Sequence, residues 1–128
     1  MILLDTHIWV RWLEPDSDPL PAAISKLIDY SDHVVVSAVS CWEVAYLVKR
    51  NRLKLSLPID EWLEAALDES GVISQPLTAN MASRAAELTD IHRDPADRFI
   101  IATAIELNAT LLTLDSYIKD YPELRGLL

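Results

Sequence analysis

The chain has 128 residues, 51% of them apolar, which is enough for one packed core and little beyond it, so a single domain over residues 1–128 is expected. A net charge of −9 argues against a module that wraps nucleic acid with a broad basic surface, because phosphate contacts need clustered Lys and Arg; it favours a basic protein partner instead. No apolar stretch approaches the length of a bilayer span, and a cytosolic protein without membrane contact is expected; the one cysteine, Cys41, has no internal disulfide partner and reads as a buried, inert thiol beside Trp42.

The opening run Ile2-Leu3-Leu4 is too short for a helix and is closed by Asp5-Thr6, a pair able to cap one, so a buried strand leading into a helix near Trp9 and Trp12 is expected. Pro15 to Pro21 reads as a loop, and Ala22 to Tyr30 carries Ile24, Leu27 and Ile28 at helical spacing. Val34-Val35-Val36 reads as a second strand, after which Ser37 caps a helix running through Trp42, Glu43 and Tyr46 toward Arg50. Helices are expected over Ile59–Leu67 and Ala79–Leu88, with Pro58 and Thr78 at their starts and a short strand around Val72-Ile73 between them. Asp94-Pro95 opens a strong helix over Phe99–Leu107, Asn108 ends it, and Thr110 to Leu114 reads as the last strand. Strands that are apolar throughout and alternate with helices predict an α/β fold whose parallel sheet is covered on both faces.

In such a sheet ligands bind beyond the carboxyl ends of the strands, and acids fall there. Asp5 ends the first strand, Asp115 follows the last, and Asp94 and Asp97 bracket the first turn of the preceding helix. Glu43 lies between Val39 and Leu47 on an apolar row of its helix, and Asp97 heads a similar row through Ile101 and Ile105, so both are expected to point inward. Each acid has an ordinary explanation: Asp94 as a helix cap, Asp97 as a first-turn acid, Asp5 and Asp115 as turn residues, and Glu43 as a partner of Arg50 or Arg98. Their joint appearance favours a site. Converging carboxylates raise one another's pKa values unless a cation sits among them, and an all-oxygen set without Cys or paired His selects Mg²⁺ or Mn²⁺.

His7, His33 and His92 have no metal-ligand spacing, although His7 and His92 could border the carboxylates. Lys49, Arg50 and Arg52, with Lys54, complement a helix C-terminus and form the densest positive patch, a candidate grip on RNA phosphates. The four Trp residues read as core or interface. Ser37, Ser40 and Thr6 lack the partners of a catalytic triad.

These residues carry a resemblance. Ile2 to Trp12 (ILLDTHIWVRW) resembles the opening of VapC-type PIN domains, and VSAVSCWEVAYLVKRNRLKL resembles their second motif, with Glu43 at the acidic position. HRDPADRFIIATA is similar to the segment carrying the third acid, Asp97, together with Asp94, and LLTLD supplies Thr113 and Asp115. The chain departs from many relatives in carrying Leu47 where they have Lys and Asn51 where they have Gly. The resemblance implies a three-layer α/β/α PIN fold and a Mg²⁺- or Mn²⁺-dependent endoribonuclease, the toxin of a toxin–antitoxin pair, inhibited by a cognate antitoxin and often a homodimer. Catalysis is then expected from Asp5, Glu43, Asp94, Asp97 and Asp115, with Asp5, Glu43 and Asp97 on the metal. A catalytically idle interaction module with the same fold is the alternative. A phosphoacceptor domain would want paired acids after the first strand and a Lys near the last, whereas Asp5 stands alone and Lys119 lies beyond Asp115; an Asp-x-Asp phosphatase would need Asp where His7 stands.

Overall fold

Apolar runs too short for helices pair into a four-stranded, all-parallel sheet in the order β3-β2-β1-β4. The computed structural model describes residues 1–16 and 18–128; Ser17, inside the expected Pro15–Pro21 loop, lies outside the described residues. In chain order the elements are β1 (Ile2–Leu4), α1 (Thr6–Leu13), α2 (Ala22–Asp29), β2 (Val34–Ser37), α3 (Ala38–Lys49), α4 (Ile59–Glu64) with a π-helical turn over Ala65–Glu69, β3 (Ile73–Gln75), α5 (Ala79–Glu87), α6 (Pro95–Leu107), β4 (Thr110–Leu112), α7 (Ser116–Lys119) and a 3₁₀ turn, Pro122–Leu124. No described helix is long and apolar enough to cross a membrane.

Side chains alternate between the two faces of a strand, and here both faces are buried. Leu4, Val34, Val36 and Leu112 pack with Ile8 and Trp9 of α1, Val44 of α3 and Trp62 of α4. Leu3, Val35 and Leu111 point the other way, onto Ile100, Ile101 and Ala104 of α6 and Ile118 of α7. Helices therefore cover both sides of the sheet, giving the expected three layers. Trp9 and Trp62 meet edge to face at 5.0 Å within the first core, so two of the four Trp are core residues.

Three departures from the expected elements have local causes. The last strand stops at Leu112 instead of Leu114, because the Thr113 hydroxyl accepts the Asp115 N–H at 3.0 Å and turns the chain out of the ladder. The expected Ile59–Leu67 helix ends at Glu64, and its last turn widens so that Ser70 N–H reaches the Ala65 carbonyl at 3.1 Å. A short helix, α7, follows Asp115, which caps it. Asn108 does end α6, in the left-handed conformation at φ 51°, and Asn51 after α3 has φ 58°. Gly would adopt that φ without strain, and Asn is among the side chains that best tolerate it.

The segment between α5 and α6 is held by one side chain. Arg98 Nε donates to the Ala85 carbonyl (3.1 Å), Nη2 to Leu88 (3.0 Å), and Nη1 to Thr89 (3.0 Å) and to the Tyr121 hydroxyl (3.3 Å). The Tyr121 hydroxyl in turn accepts the His92 N–H at 2.8 Å. Arg98 thus caps the C-terminal carbonyls of α5 and fixes the loop that carries His92 and Asp94. Arg98→Ala is expected to lower unfolding stability by about 2–3 kcal/mol in urea titrations, the scale of lost charge-assisted hydrogen bonds, with Arg98→Lys recovering only part because it lacks the planar fork. A loss below about 0.5 kcal/mol would show that these carbonyls find other donors.

Candidate active site

The strand order reverses at β1, whose neighbours β2 and β4 are approached by chain running in opposite directions, and the crevice beyond the strands' carboxyl ends opens there. Asp5 is the first residue past β1. It caps α1 by accepting the Ile8 N–H at 2.8 Å on Oδ1, while Oδ2 accepts a short hydrogen bond from the Thr113 hydroxyl across on β4's exit. Its own N–H still continues the sheet, donating to the Leu112 carbonyl at 3.1 Å. Asp5 is only 4% exposed. Burial pushes its pKa up and Asp115 adds to this, against the opposing pull of Thr113, the Ile8 N–H and His7.

Glu43 enters from the middle of α3, half-buried. The ordinary alternative, an Arg partner, is not found: Arg50 lies 5.0 Å over the Tyr46 ring, and Arg98 is occupied by the carbonyls described above. Its partner is Thr6, whose Oγ1 lies 2.5 Å from Glu43 Oε1 and 2.9 Å from Ser40 Oγ. A hydroxyl has one proton and an ionised carboxylate can only accept, so Thr6 donates to Glu43 and Ser40 supplies the proton of the second contact. Burial raises the Glu43 pKa, Thr6 opposes it, and Asp94 and Asp5 raise it further.

The α6 N-terminus supplies two more acids. Asp94 caps the helix by accepting the Ala96 N–H at 3.0 Å. Asp97, one turn in, points inward as its row with Ile101 predicted, and its Oδ2 lies 2.8 Å from His92 Nε2. Burial, then Asp94 and Glu43, push Asp97 from 3.8 up to about 7, despite the opposing pull of His92. His92, Asp94 and Asp97 each bring a ligand atom within 4.8 Å of the others. Asp115 caps α7 by accepting the Tyr117 N–H at 2.8 Å, and with Asp5, His7 and Arg11 it lines a cleft of about 220 Å³.

All five acids singled out in the sequence therefore share one electrostatic field, each interacting with at least two others. His7 and His92 border them, as expected. Lys49, Arg50 and Arg52 are exposed at the far end of α3; Lys49 is six residues beyond Glu43, about 9 Å along a helix axis. Cys41 is half-buried near Ser74, and burial raises its thiol pKa. The supporting hydroxyls of Thr6, Ser40 and Thr113 were not read as site residues. Their signal is the side-by-side placing of Asp5-Thr6 and Thr113-x-Asp115 at two strand ends, which only the pairing of β1 with β4 brings together.

An acid with a raised pKa keeps its proton in the folded chain over a range where the unfolded chain has released it. For Asp97 that range runs from 3.8 to about 7, so folding stability falls as pH rises through it, and Asp5 and Glu43 act in the same direction. Among the described residues the ligand atoms that come within 4.8 Å of one another are those of His92, Asp94 and Asp97. Asp5 and Glu43, expected as ligands with Asp97, lie outside that group, Glu43 acting on Asp97 and Asp5 on Glu43 through the shared field. Carboxylate oxygens dominate the set, which fits a hard divalent cation whose charge would balance theirs. Without divalent metal, Asp97→Asn is expected to flatten the loss of melting temperature between roughly pH 4 and pH 7. An unchanged slope would mean that Asp97 titrates normally.

Comparison with known proteins agrees with the layered fold. The sequence profile of the PIN domain matches residues 2–124. Ribonuclease VapC22 of Mycobacterium tuberculosis is 32% identical over 121 residues, 94% of this chain and 91% of that protein. Among solved structures, VapBC2 from Rickettsia felis bound to a DNA fragment from their promoter superposes with a TM-score of 0.68 at 22% identity, covering 96% of this chain and 95% of that one. FitAcB from Neisseria gonorrhoeae gives a TM-score of 0.59 at 25% identity, over 92% of this chain and 90% of that one.

Proposed function

The chain belongs to the PIN domain family, and from that premise and the buried carboxylate cluster at its strand ends we propose that it is a divalent-metal-dependent endoribonuclease, the toxin of a toxin–antitoxin pair. The observation that carries the reading is the convergence of Asp5, Glu43, Asp94, Asp97 and Asp115 on one field, with pKa values raised at the three buried members. A relative named as a ribonuclease, 32% identical over most of both chains, supports the reaction class.

In this reading Asp5, Glu43 and Asp97 hold Mg²⁺ or Mn²⁺, and Asp94 and Asp115 complete the charge around it. When bound, such an ion supplies the positive charge that both the attacking water and the phosphate's developing negative charge require. The chain's own residues do the positioning. Thr113 and the Ile8 N–H fix Asp5, Thr6 fixes Glu43, and His92 holds Asp97. Because the donors to Asp5 are set before any ligand arrives, no reorganisation is needed on binding. His92 Nε2, at 2.8 Å from Asp97 Oδ2, orients that carboxylate. No side-chain nucleophile is required, so an RNA phosphodiester would be cut by hydrolysis.

Purified protein is expected to cleave single-stranded RNA with Mg²⁺ or Mn²⁺ and not with EDTA, and its cognate antitoxin is expected to stop the reaction. Mg²⁺ should also raise the melting temperature by mass action, and Asp5→Asn should blunt that gain. Asp5→Asn and Glu43→Gln should lose more activity than Thr6→Ala or Thr113→Ala, for which a loss of roughly 10–100-fold is the scale of a ligand-orienting partner. Cleavage by none of these proteins in either buffer would instead identify a catalytically idle interaction module.

The antitoxin is expected to present a basic tail to the acidic cleft of a chain carrying −9, and both proteins would meet in the cytosol. A homodimer is supported by the exposed end of α3. Trp42 is 59% exposed and stacked on Tyr46 at 5.1 Å, and it lines an apolar cleft with Val39, Pro95, Ala96 and Phe99. A large aromatic beside such a cleft is the usual anchor of a protein interface. Trp42→Glu is expected to convert the dimer to a monomer in sedimentation experiments with the melting temperature little changed; a dimer that survives the substitution would place the interface elsewhere.

A further inference from the structure

Beside the acidic cluster lies a larger opening that the reading above leaves without a role. It is a cleft of about 670 Å³ bordered by Ala86 of α5, by Asp90, Ile91, His92 and Arg93 of the α5–α6 loop, and by Arg98 of α6. Its volume is that of a site for a small ligand or one nucleotide. It is continuous with a second opening along α5, since Arg93, Arg98 and Ala86 line both. His92 forms the shared wall with the acids, its Nε2 on Asp97.

The two arginines differ in what they have left to offer. Arg98 commits its guanidinium to backbone carbonyls and the Tyr121 hydroxyl and presents no open fork. Arg93 is exposed, and no ion pair or side-chain hydrogen bond to it is found among the described residues. It stands between His92 and Asp94, with Asp90 as the acid that shares the cleft. An RNA strand whose scissile phosphate meets five carboxylates needs a cation close by for its next phosphate, since the surrounding field is repulsive. Lys49, Arg50 and Arg52 lie at the wrong end of α3 for that contact.

We propose that this cleft is the subsite for the nucleotide flanking the scissile phosphate, with Arg93 as the residue that grips its backbone phosphate. The proposal rests on the ribonuclease reading for the scissile position but not for the binding itself. A planar guanidinium meets phosphate oxygens two at a time, which fixes the strand's position and not merely its charge. A phosphate contact of this kind carries no base preference, so Arg93 would set affinity and register, not sequence.

The test uses the full-length protein with Glu43→Gln as background, so that binding is read without cleavage, and a short fluorescein-labelled single-stranded RNA as probe. Adding Arg93→Ala is expected to weaken binding about tenfold and to lower the slope of log affinity against log salt by roughly 0.7, the share of one phosphate contact on a single strand. Arg93→Lys should keep the salt slope while losing part of the affinity, and the triple Ala variant of Lys49, Arg50 and Arg52 should change affinity less than twofold. In the cleaving protein Arg93→Ala should raise KM with kcat nearly unchanged. Melting temperatures confirm folding, since Arg93 is exposed. An unchanged salt slope in Arg93→Ala overturns the proposal, as does a larger loss in the triple variant. Loss of antitoxin affinity with RNA affinity unchanged also overturns it, by assigning the cleft to the protein partner. If the wild type binds RNA through Arg93 yet cuts nothing, the ribonuclease reading fails and the subsite stands.

Discussion

Several negative charges are held in a nearly dry crevice, and the rest of the site follows from how they are tolerated. A carboxylate removed from water costs several kcal/mol unless it is hydrogen-bonded or paired with a cation. Asp5 receives two donors, the Ile8 N–H and the Thr113 hydroxyl; Glu43 receives Thr6; Asp97 meets His92. These contacts do not complete the neutralisation, because the pKa values of all three acids remain above their ordinary range. Pairing of β1 with β4 is what forces the arrangement. Ladder contacts at Leu3–Leu111 and Leu4–Leu112 bring Asp5 and Thr113 out of the sheet side by side, 108 positions apart in the chain.

Capping and coordination, which compete as explanations in the sequence, turn out to be compatible. Asp5, Asp94 and Asp115 each cap a helix through one oxygen. An ionised carboxylate has about four acceptor positions, so a cap leaves others free for a cation. The cap also fixes the rotamer, which a ligand needs before the ion arrives. Each acid's structural role is thus part of what would make it a good ligand.

Periodicity made the layers legible, because strands apolar at every position can only be buried on both faces, and Val34 to Val36 and Ile2 to Leu4 are. The acids were legible because they follow those strands or interrupt apolar helical rows. Hydroxyl partners were not. Thr6 and Ser40 look like ordinary first-turn residues until the contact between α1 and α3 places them against Glu43, and no local pattern records that contact. The end of the last strand was missed for a related reason. Thr113 is a good strand residue by propensity, yet its hydroxyl is worth more to Asp5 and to the Asp115 N–H than its backbone is to the ladder. The ordinary explanation of Glu43, an arginine partner, does not apply: Arg98 donates to the carbonyls of Ala85, Leu88 and Thr89 instead.

That use of Arg98 explains how a chain with an acidic excess keeps a negative site open. An arginine beside five carboxylates would ordinarily collapse onto them, neutralise the field and block a cation. Here Nε, Nη1 and Nη2 each donate to a carbonyl at or just past the end of α5, and Nη1 also to Tyr121, so its hydrogen bonds are committed away from the carboxylates. Exposed positive charge is then available from Arg93 on the loop, where an anionic strand would enter, while Arg11, which lines the cleft with Asp5 and Asp115, is paired with Asp18 at 3.2 Å. Lys49, Arg50 and Arg52, at the C-terminal end of α3, line neither that loop cleft nor the cleft beside Asp5. Sorting charge by what each guanidinium is bonded to, instead of by counting residues, is therefore what reconciles a strongly acidic protein with an anionic substrate.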